Sequence, residues 1–337
     1  MPWAFQEEKV VGLEIGDRHI SACQTRIRSN GRPRLSRAGS IANAPEASEE
    51  DLAYSLRSLW KKAGLSSYTV CSALRSKSTV VKQFSFPQTP RNELKASLEL
   101  EAECSLQLPP DELVLDYHVH RPNGHANGNS PDTTAENVEG ILVAAPKTEV
   151  DRHIRILRKA GLYPVYVEIP SMAIANLLLT LNSHQPPEEC TAILNLTPTS
   201  ADMAFITNDS RLHLCTIFAR QAGWEESHDY LLKSVSDELR YHQFKLRNPA
   251  VRNILVTGFI PTLETGDENV GDSVPSENNE SEFVRALHKE TGTPVEVWNP
   301  LEHMDASRHV IHRLQNVRGT IPSLAVGIGT ALRKNGK

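Results

Sequence analysis

The sequence predicts a two-lobed α/β protein with a small α+β module grown into its first half. Three observations predict it. An apolar strand running into a glycine turn, Lys9 to Gly16, is followed by a hairpin partner and then by helix-period segments. The same grammar returns from Thr191 onward, with strand candidates at 201–206 and 211–218 and a long helix behind them. Between the two, from Ser76 to Pro170, the chain changes character: alternating strands, punctuating prolines and an acidic amphipathic helix.

The bulk properties fit that reading. A chain of 337 residues can bury two cores, and 39% hydrophobic with 23% charged residues is ordinary globular usage. A formal net charge of -5 is not that of a dedicated nucleic-acid binder, which carries a clustered basic face. No run of about 18 apolar residues suggests a membrane span. The start, Met1 to Lys9, lacks the basic-then-apolar layout of a secretory signal. The expected location is therefore the cytoplasm, with any membrane contact made through another protein. The five cysteines (Cys23, Cys71, Cys104, Cys190, Cys215) form no Cys-x-x-Cys pair, so neither a zinc ribbon nor a disulfide framework is indicated. Buried thiols are expected, and no metal ligand set is assigned.

The elements follow in order. His19 to Gln24 reads as the hairpin partner of the first strand, and a third strand lies near 34–41. A helix begins at Ser48, an N-cap with carboxylates behind it, carries Leu52, Leu56, Leu59 and Trp60 on one stripe, and stops at Gly64. Residues 68–74 read as a buried strand. Residues 79–86 alternate, 91–106 form the acidic helix, and 113–119 and 140–145 are strands around a polar 122–138 loop. A helix over 148–160 ends at Gly161, a strand covers 163–169, and a helix covers 171–181 before a proline linker. In the second half, strand 191–197 and its hairpin partners precede a helix over 225–246, a strand at 253–257 enters Gly258, and a last helix follows Pro322. The domain reading is 1–75 with 171–189 as the first lobe, 76–170 as the inserted module, and 190–337 as the second lobe. Residues 264–282, acidic and without aromatics, read as a disordered loop.

This duplicated pattern with its guest resembles the actin-like (ribonuclease H-like) fold of the FtsA and PilM families. The guest resembles the small SHS2-like subdomain of these proteins, most tellingly in Leu98 to Glu103 and Leu108 to Val119. Further similarity lies in Leu142 to Lys147, Arg158 to Pro164, Gly292 to Pro300 and Ala325 to Arg333. The resemblance is to type IV pilus assembly proteins of the PilM kind and covers nearly the whole chain in order. It implies a cytoplasmic scaffold, peripheral to the inner membrane, that binds the N-terminal tail of a PilN-like membrane protein and links it to the pilus motor ATPase. The tail would lie in a groove beside the strand at 79–86. Alternative readings are an active ATPase driving pilus or type II secretion assembly, and an FtsA-like division protein. The latter kind ends in an amphipathic membrane helix, and none is expected after Arg333.

The resemblance also implies an ATP site, with magnesium, at residues Glu14, Gly16, Asp17, Ser21, Asn195, Thr197, Gly223 and Gly258. Glycine lets backbone N–H groups approach phosphate, and carboxylates hold the metal. Glu14 and Gly16 keep those features. Ser21 stands where the family has lysine, Asn195 where it has aspartate, and Thr197 where it has glycine. Gly258 is followed by Phe259, and Gly223 is one glycine of an expected pair. The expected site is degenerate, without turnover and without a resident cofactor. Two imidazole pairs, His118 with His120 and His309 with His312, lack a third ligand, and no Gly-x-Ser-x-Gly elbow occurs.

Overall fold

The computed structural model describes residues 10–27, 32–44, 46–87, 90–120, 137–181, 190–207, 211–220, 224–245, 249–259, 282–307, 310–311 and 324–333. The expected loops at 122–138 and 264–282 therefore lie almost wholly outside the described residues, as does Gly223.

The first sheet is seeded by the meander β1 (Val11–Ile15), β2 (His19–Ile27) and β3 (Pro33–Ala42). Helix α1 (Glu49–Ala63) then carries the chain across to β4 (Thr69–Ala73), which pairs parallel to β1. Both ends of α1 are set by sequence. Ser48 Oγ accepts from the Asp51 backbone N–H at 3.1 Å while the Asp51 carboxylate accepts from the Ser48 N–H at 3.3 Å, and Gly64 closes the helix at φ 64°. The small module follows: β5 (Val80–Phe86), α2 (Arg91–Leu106), β6 (Leu113–Val119) and β7 (Val138–Pro146). Its strands form an antiparallel sheet in the order β5-β7-β6. Leu94, Leu98 and Ala102 of α2 close over Phe84, Leu142 and Ala144 to make a separate core.

The chain then returns to the first sheet through α3 (Lys147–Lys159) and β8 (Tyr163–Glu168), parallel to β4. This corrects the expected reach of the module to Pro170. Parallel neighbours need a helical crossover, and α3 is that crossover. It buries Ile156 and Leu157 among Leu52, Leu56 and Leu59 of α1, and Glu49 of α1 receives Lys159 at 2.9 Å and Arg155 at 3.2 Å. The module's sheet is thus inserted between β4 and its crossover helix, within 80–146.

After α4 (Pro170–Leu181) the second sheet repeats the first. It consists of the meander β9 (Cys190–Thr197), β10 (Ser200–Thr207) and β11 (Leu212–Phe218), the crossover α5 (Trp224–Arg240), and β12 (Val251–Gly258) parallel to β9. The helix expected over 225–246 ends at Arg240 and continues as a wider π-type turn, Tyr241–Lys245. Helix α6 (Glu282–Thr291) leads to β13 (Val295–Val297), parallel to β12. The strand orders are β14-β3-β2-β1-β4-β8 and β11-β10-β9-β12-β13, where β14 (Asp305–Ala306) is a short addition beside β3. Without it the two orders are the same, which is the duplication read from the sequence.

The lobes are locked by two exchanged helices. Helix α4 packs on β9, β10 and β11, while α7 (Ala325–Leu332) packs on β1, β2 and β4, and the two helices touch. One apolar core runs through both, from Cys23 and Leu35 to Ile193 and Ala204. Glycines make the approach close. A Cβ on Gly12 would stand 2.0 Å from the Gly327 carbonyl oxygen, and one on Gly329 would stand 2.0 Å from that of Ala173.

Candidate functional site

The two meanders point their first turns at each other. The β1–β2 turn is held by the Gly16 N–H donating to the His19 carbonyl at 2.9 Å and by Asn43 Nδ2 donating to the Gly16 carbonyl at 2.7 Å. The β9–β10 turn is held by Thr197 Oγ1 against Ser200 Oγ at 2.8 Å, with the Thr199 N–H donating to Thr197 Oγ1 at 3.2 Å. Thr199 Oγ1 donates to the Asp17 carboxylate, so the turns are joined directly across the cleft.

Between the turns lies Arg75, two residues beyond the end of β4. Its Nη2 donates to Glu14 Oε1 at 2.9 Å and to Asp202 Oδ2 at 2.8 Å. Its Nη1 donates to Ser200 Oγ at 2.7 Å and to Asp202 Oδ1 at 3.2 Å. The bidentate fork onto Asp202 is the geometry guanidinium provides and ammonium does not. Burial opposes the charge, but the neighbouring Asp202 and Glu14 carboxylates outweigh it and raise the guanidinium pKa further above its ordinary value. Asn195 Nδ2 donates to Asp202 Oδ2 at 3.0 Å and Thr216 Oγ1 to Asp202 Oδ1 at 3.1 Å, which completes the carboxylate's shell.

The register explains where the charges sit. Glu14 pairs across to Ser21 in the first meander, and Asn195 pairs across to Asp202 in the second. The negative charge missing at Asn195 is therefore supplied by the cross-strand neighbour. Ser21 keeps no such role. Its Oγ is buried without a hydrogen-bond partner, on the side where a Cβ on Gly327 of α7 would come to 3.3 Å. Gly258 is occupied with packing: its φ is 90°, a Cβ there would meet the Leu196 carbonyl at 2.2 Å and Asn195 Oδ1 at 2.6 Å, and the Phe259 N–H donates to that same carbonyl at 2.7 Å. Of the residues expected to form a nucleotide site, Glu14 and Asn195 enter the cleft network, and Gly16, Asp17 and Thr197 shape its turns. Ser21 and Gly258 serve packing, and Gly223 lies outside the described residues.

Sequence reasoning missed Arg75 and Asp202. A charge within a strand as apolar as Ser200–Thr207 was a signal for Asp202, and a cation just past a buried parallel strand was one for Arg75. Chemically, the guanidinium of Arg75 is already shared by two carboxylates, Glu14 and Asp202. Phosphate would have to take Arg75 from its partners or bring negative charge beside Glu14 and Asp202.

A cavity of about 280 Å³ adjoins this network, between the small module and the second lobe. Its walls include Thr79, Val81 and Lys82 of the module side, Ile169 and Pro170, and Thr216 and Phe218 of β11. Both β5 and β11 are edge strands of their sheets, and Gln83 Nε2 of β5 reaches the Leu212 carbonyl at 3.3 Å. Among the described residues, no helix is long and apolar enough to cross a membrane.

A family model described as type IV pilus assembly protein PilM matches residues 34–222. Curated proteins give no match. A solved PilM–PilN type IV pilus biogenesis complex aligns with 96% of this chain and 98% of that chain at 20% identity and a TM-score of 0.72, which shows a shared fold. A protein of actin-like ATPase fold from Bacteroides thetaiotaomicron aligns over 94% and 99% at 10% identity, with a TM-score of 0.49. The cytoplasmic domain of EpsL, an inner-membrane component of the type II secretion system of Vibrio cholerae, aligns over 87% and 98% at 10% identity, with a TM-score of 0.45. The duplicated sheets and exchanged helices are an actin-like fold, shared with the solved PilM.

Proposed function

This chain belongs to the type IV pilus assembly protein PilM family, and on that premise we propose that it is a cytoplasmic scaffold of pilus biogenesis whose nucleotide cleft is closed by its own arginine. The observation that carries the reading is Arg75, buried and shared between Glu14 of one lobe and Asp202 of the other. There the guanidinium neutralises the facing carboxylates and ties the lobes together. The chain then needs no ATP to hold its shape.

The partner in this proposal is the N-terminal tail of a PilN-like inner-membrane protein; PilN is the partner named in the similar solved complex. The cavity between β5 and β11 supports the placement. It offers apolar walls at Val81, Ile169 and Phe218 beside the edge strands β5 and β11, which suits an extended peptide that adds backbone hydrogen bonds and side-chain anchors. Membrane association then comes through the partner. Through that partner the scaffold is linked to the pilus motor ATPase.

Titrating the full chain with the tail peptide tests the groove. Binding should be saturable, and Val81→Asp, which places a charge in a half-buried wall packed on the shared core, should weaken it tenfold or more at a temperature where the variant is still folded. Equal binding by parent and variant would remove the groove from the proposal. A second reading, an ATP-binding protein in which Arg75 swings to phosphate, is favoured by the facing carboxylates Glu14 and Asp202. Phosphate release by Asn195→Asp beside the parent tests it.

A further inference from the structure

On the face of the second sheet away from the cleft, three donor types converge. His213 and Cys215 are two residues apart on the edge strand β11 and so point to the same side, and Glu238 comes down from α5. One ligand-capable atom of each lies within 4.8 Å of the other two, and His213 Nε2 stands 2.7 Å from Glu238 Oε1. Tetrahedral zinc with bonds of about 2.0–2.3 Å keeps its donors roughly 3.3–3.8 Å apart, so small rotamer adjustments bring these atoms to ligand positions.

The surroundings hold the imidazole in place. Phe205 meets the His213 ring edge-on at 5.2 Å, and His242 crosses it at 5.5 Å while stacking on Phe205 at 4.1 Å. Just after Glu238 the helix widens into its π-type turn, a distortion that in helices often accompanies a site. The His213 side chain is 9% exposed and the Glu238 side chain 23%, so the cluster has dry walls and one open side for entry and for a water ligand. With thiolate, carboxylate and neutral imidazole as ligands, a dication makes the assembly neutral, which suits a half-buried position.

We propose that His213 Nε2, Cys215 Sγ and a Glu238 oxygen bind one zinc ion, with water as the fourth ligand, pinning α5 to the edge of the second lobe. On binding, the Cys215 thiol loses its proton to solvent and sulfur becomes a ligand; nothing is oxidised or reduced. The His213 Nδ1 atom is buried with no hydrogen-bond partner. A ligand imidazole without an outer partner loses about 10–100-fold in affinity, so binding in the micromolar range is expected rather than that of a closed four-ligand site. The proposal uses none of the cleft's charged residues, but Cys215 also lines the cavity between β5 and β11.

Cobalt(II) is the probe. The full chain, kept reduced and free of chelator, is titrated with Co²⁺ while the near-ultraviolet sulfur-to-cobalt charge-transfer band is followed, and Zn²⁺ is then added. The expected result is a band that saturates at one equivalent and disappears as Zn²⁺ displaces cobalt. Cys215→Ser should abolish the band, Glu238→Gln should weaken binding tenfold or more while keeping it, and Cys104→Ser, at an exposed thiol of α2, should leave it unchanged. No saturable band in the parent overturns the proposal, and this arm stands even where a variant fails to fold. A band that survives Cys215→Ser, or is lost in Cys104→Ser, overturns it as well.

Discussion

At the scale of single residues, Arg75 decides more than any other side chain. A buried ion pair is weak evidence for stability, because desolvation offsets its attraction, but removing one partner strands the other. Arg75→Met leaves Glu14 and Asp202 facing each other in the cleft, and a loss of about 3–5 kcal/mol is expected from urea unfolding. Adding Glu14→Gln and Asp202→Asn to that variant should restore most of the loss. His153 gives a pH-dependent counterpart. It is buried on α3, with Nε2 2.8 Å from Ser72 Oγ, and burial, with the nearby Arg152 charge adding to it, lowers its pKa from 6.5 to about 4. Its contribution is therefore complete above pH 6.5 and is lost as pH falls toward 4, because the unfolded chain takes up the proton first. The expected loss across that window is about 3 kcal/mol at most, and His153→Gln should flatten it in urea midpoints measured against pH. Legibility was uneven at this scale. Glu14 and Asn195 could be singled out because they stand where the resembled family carries the carboxylates of its turns. Asp202 could not be assigned its role, because that role comes from pairing with Asn195 across the hairpin, and Arg75 meets its partners from a different strand.

At the scale of elements, the local rules were readable and the handovers between neighbours less so. The span of α1 from Ser48 to Gly64 is written in its capping box and its left-handed glycine, and the structure has both. The end of the small module is not written locally, because α3 is as amphipathic as a module helix would be; only the pairing of β8 with β4 shows which sheet it serves. Gly258 separates turn chemistry from packing in the same way. Its Cβ would overlap the Leu196 carbonyl at a φ of 90°, whereas Gly161 at φ 81° has nothing within 4 Å of a Cβ. Gly161→Ala should cost roughly 1 kcal/mol, the ordinary left-handed penalty. Gly258→Ala should cost more than about 2 kcal/mol, since β12 must also move off β9. Denaturant midpoints of the two variants make that comparison; equal losses would mean that the close approach at Gly258 relaxes freely.

For the whole molecule, duplication makes a cleft and exchange makes it rigid. Each lobe lends one helix to the shared core, through α4 and α7, and the facing turns are joined by Asp17 to Thr199 and by Arg75. The two-lobe plan was legible because the strand grammar occurs twice in one chain, while the helix exchange was not, since nothing in α7 says which sheet its small residues will meet. The central claim is that Arg75 neutralises this cleft from within, so that the scaffold folds and works without nucleotide. Isothermal titration of the full chain with Mg-ATP tests it most directly. The account predicts no binding heat up to near-millimolar nucleotide, whereas saturable binding at micromolar concentration would contradict it.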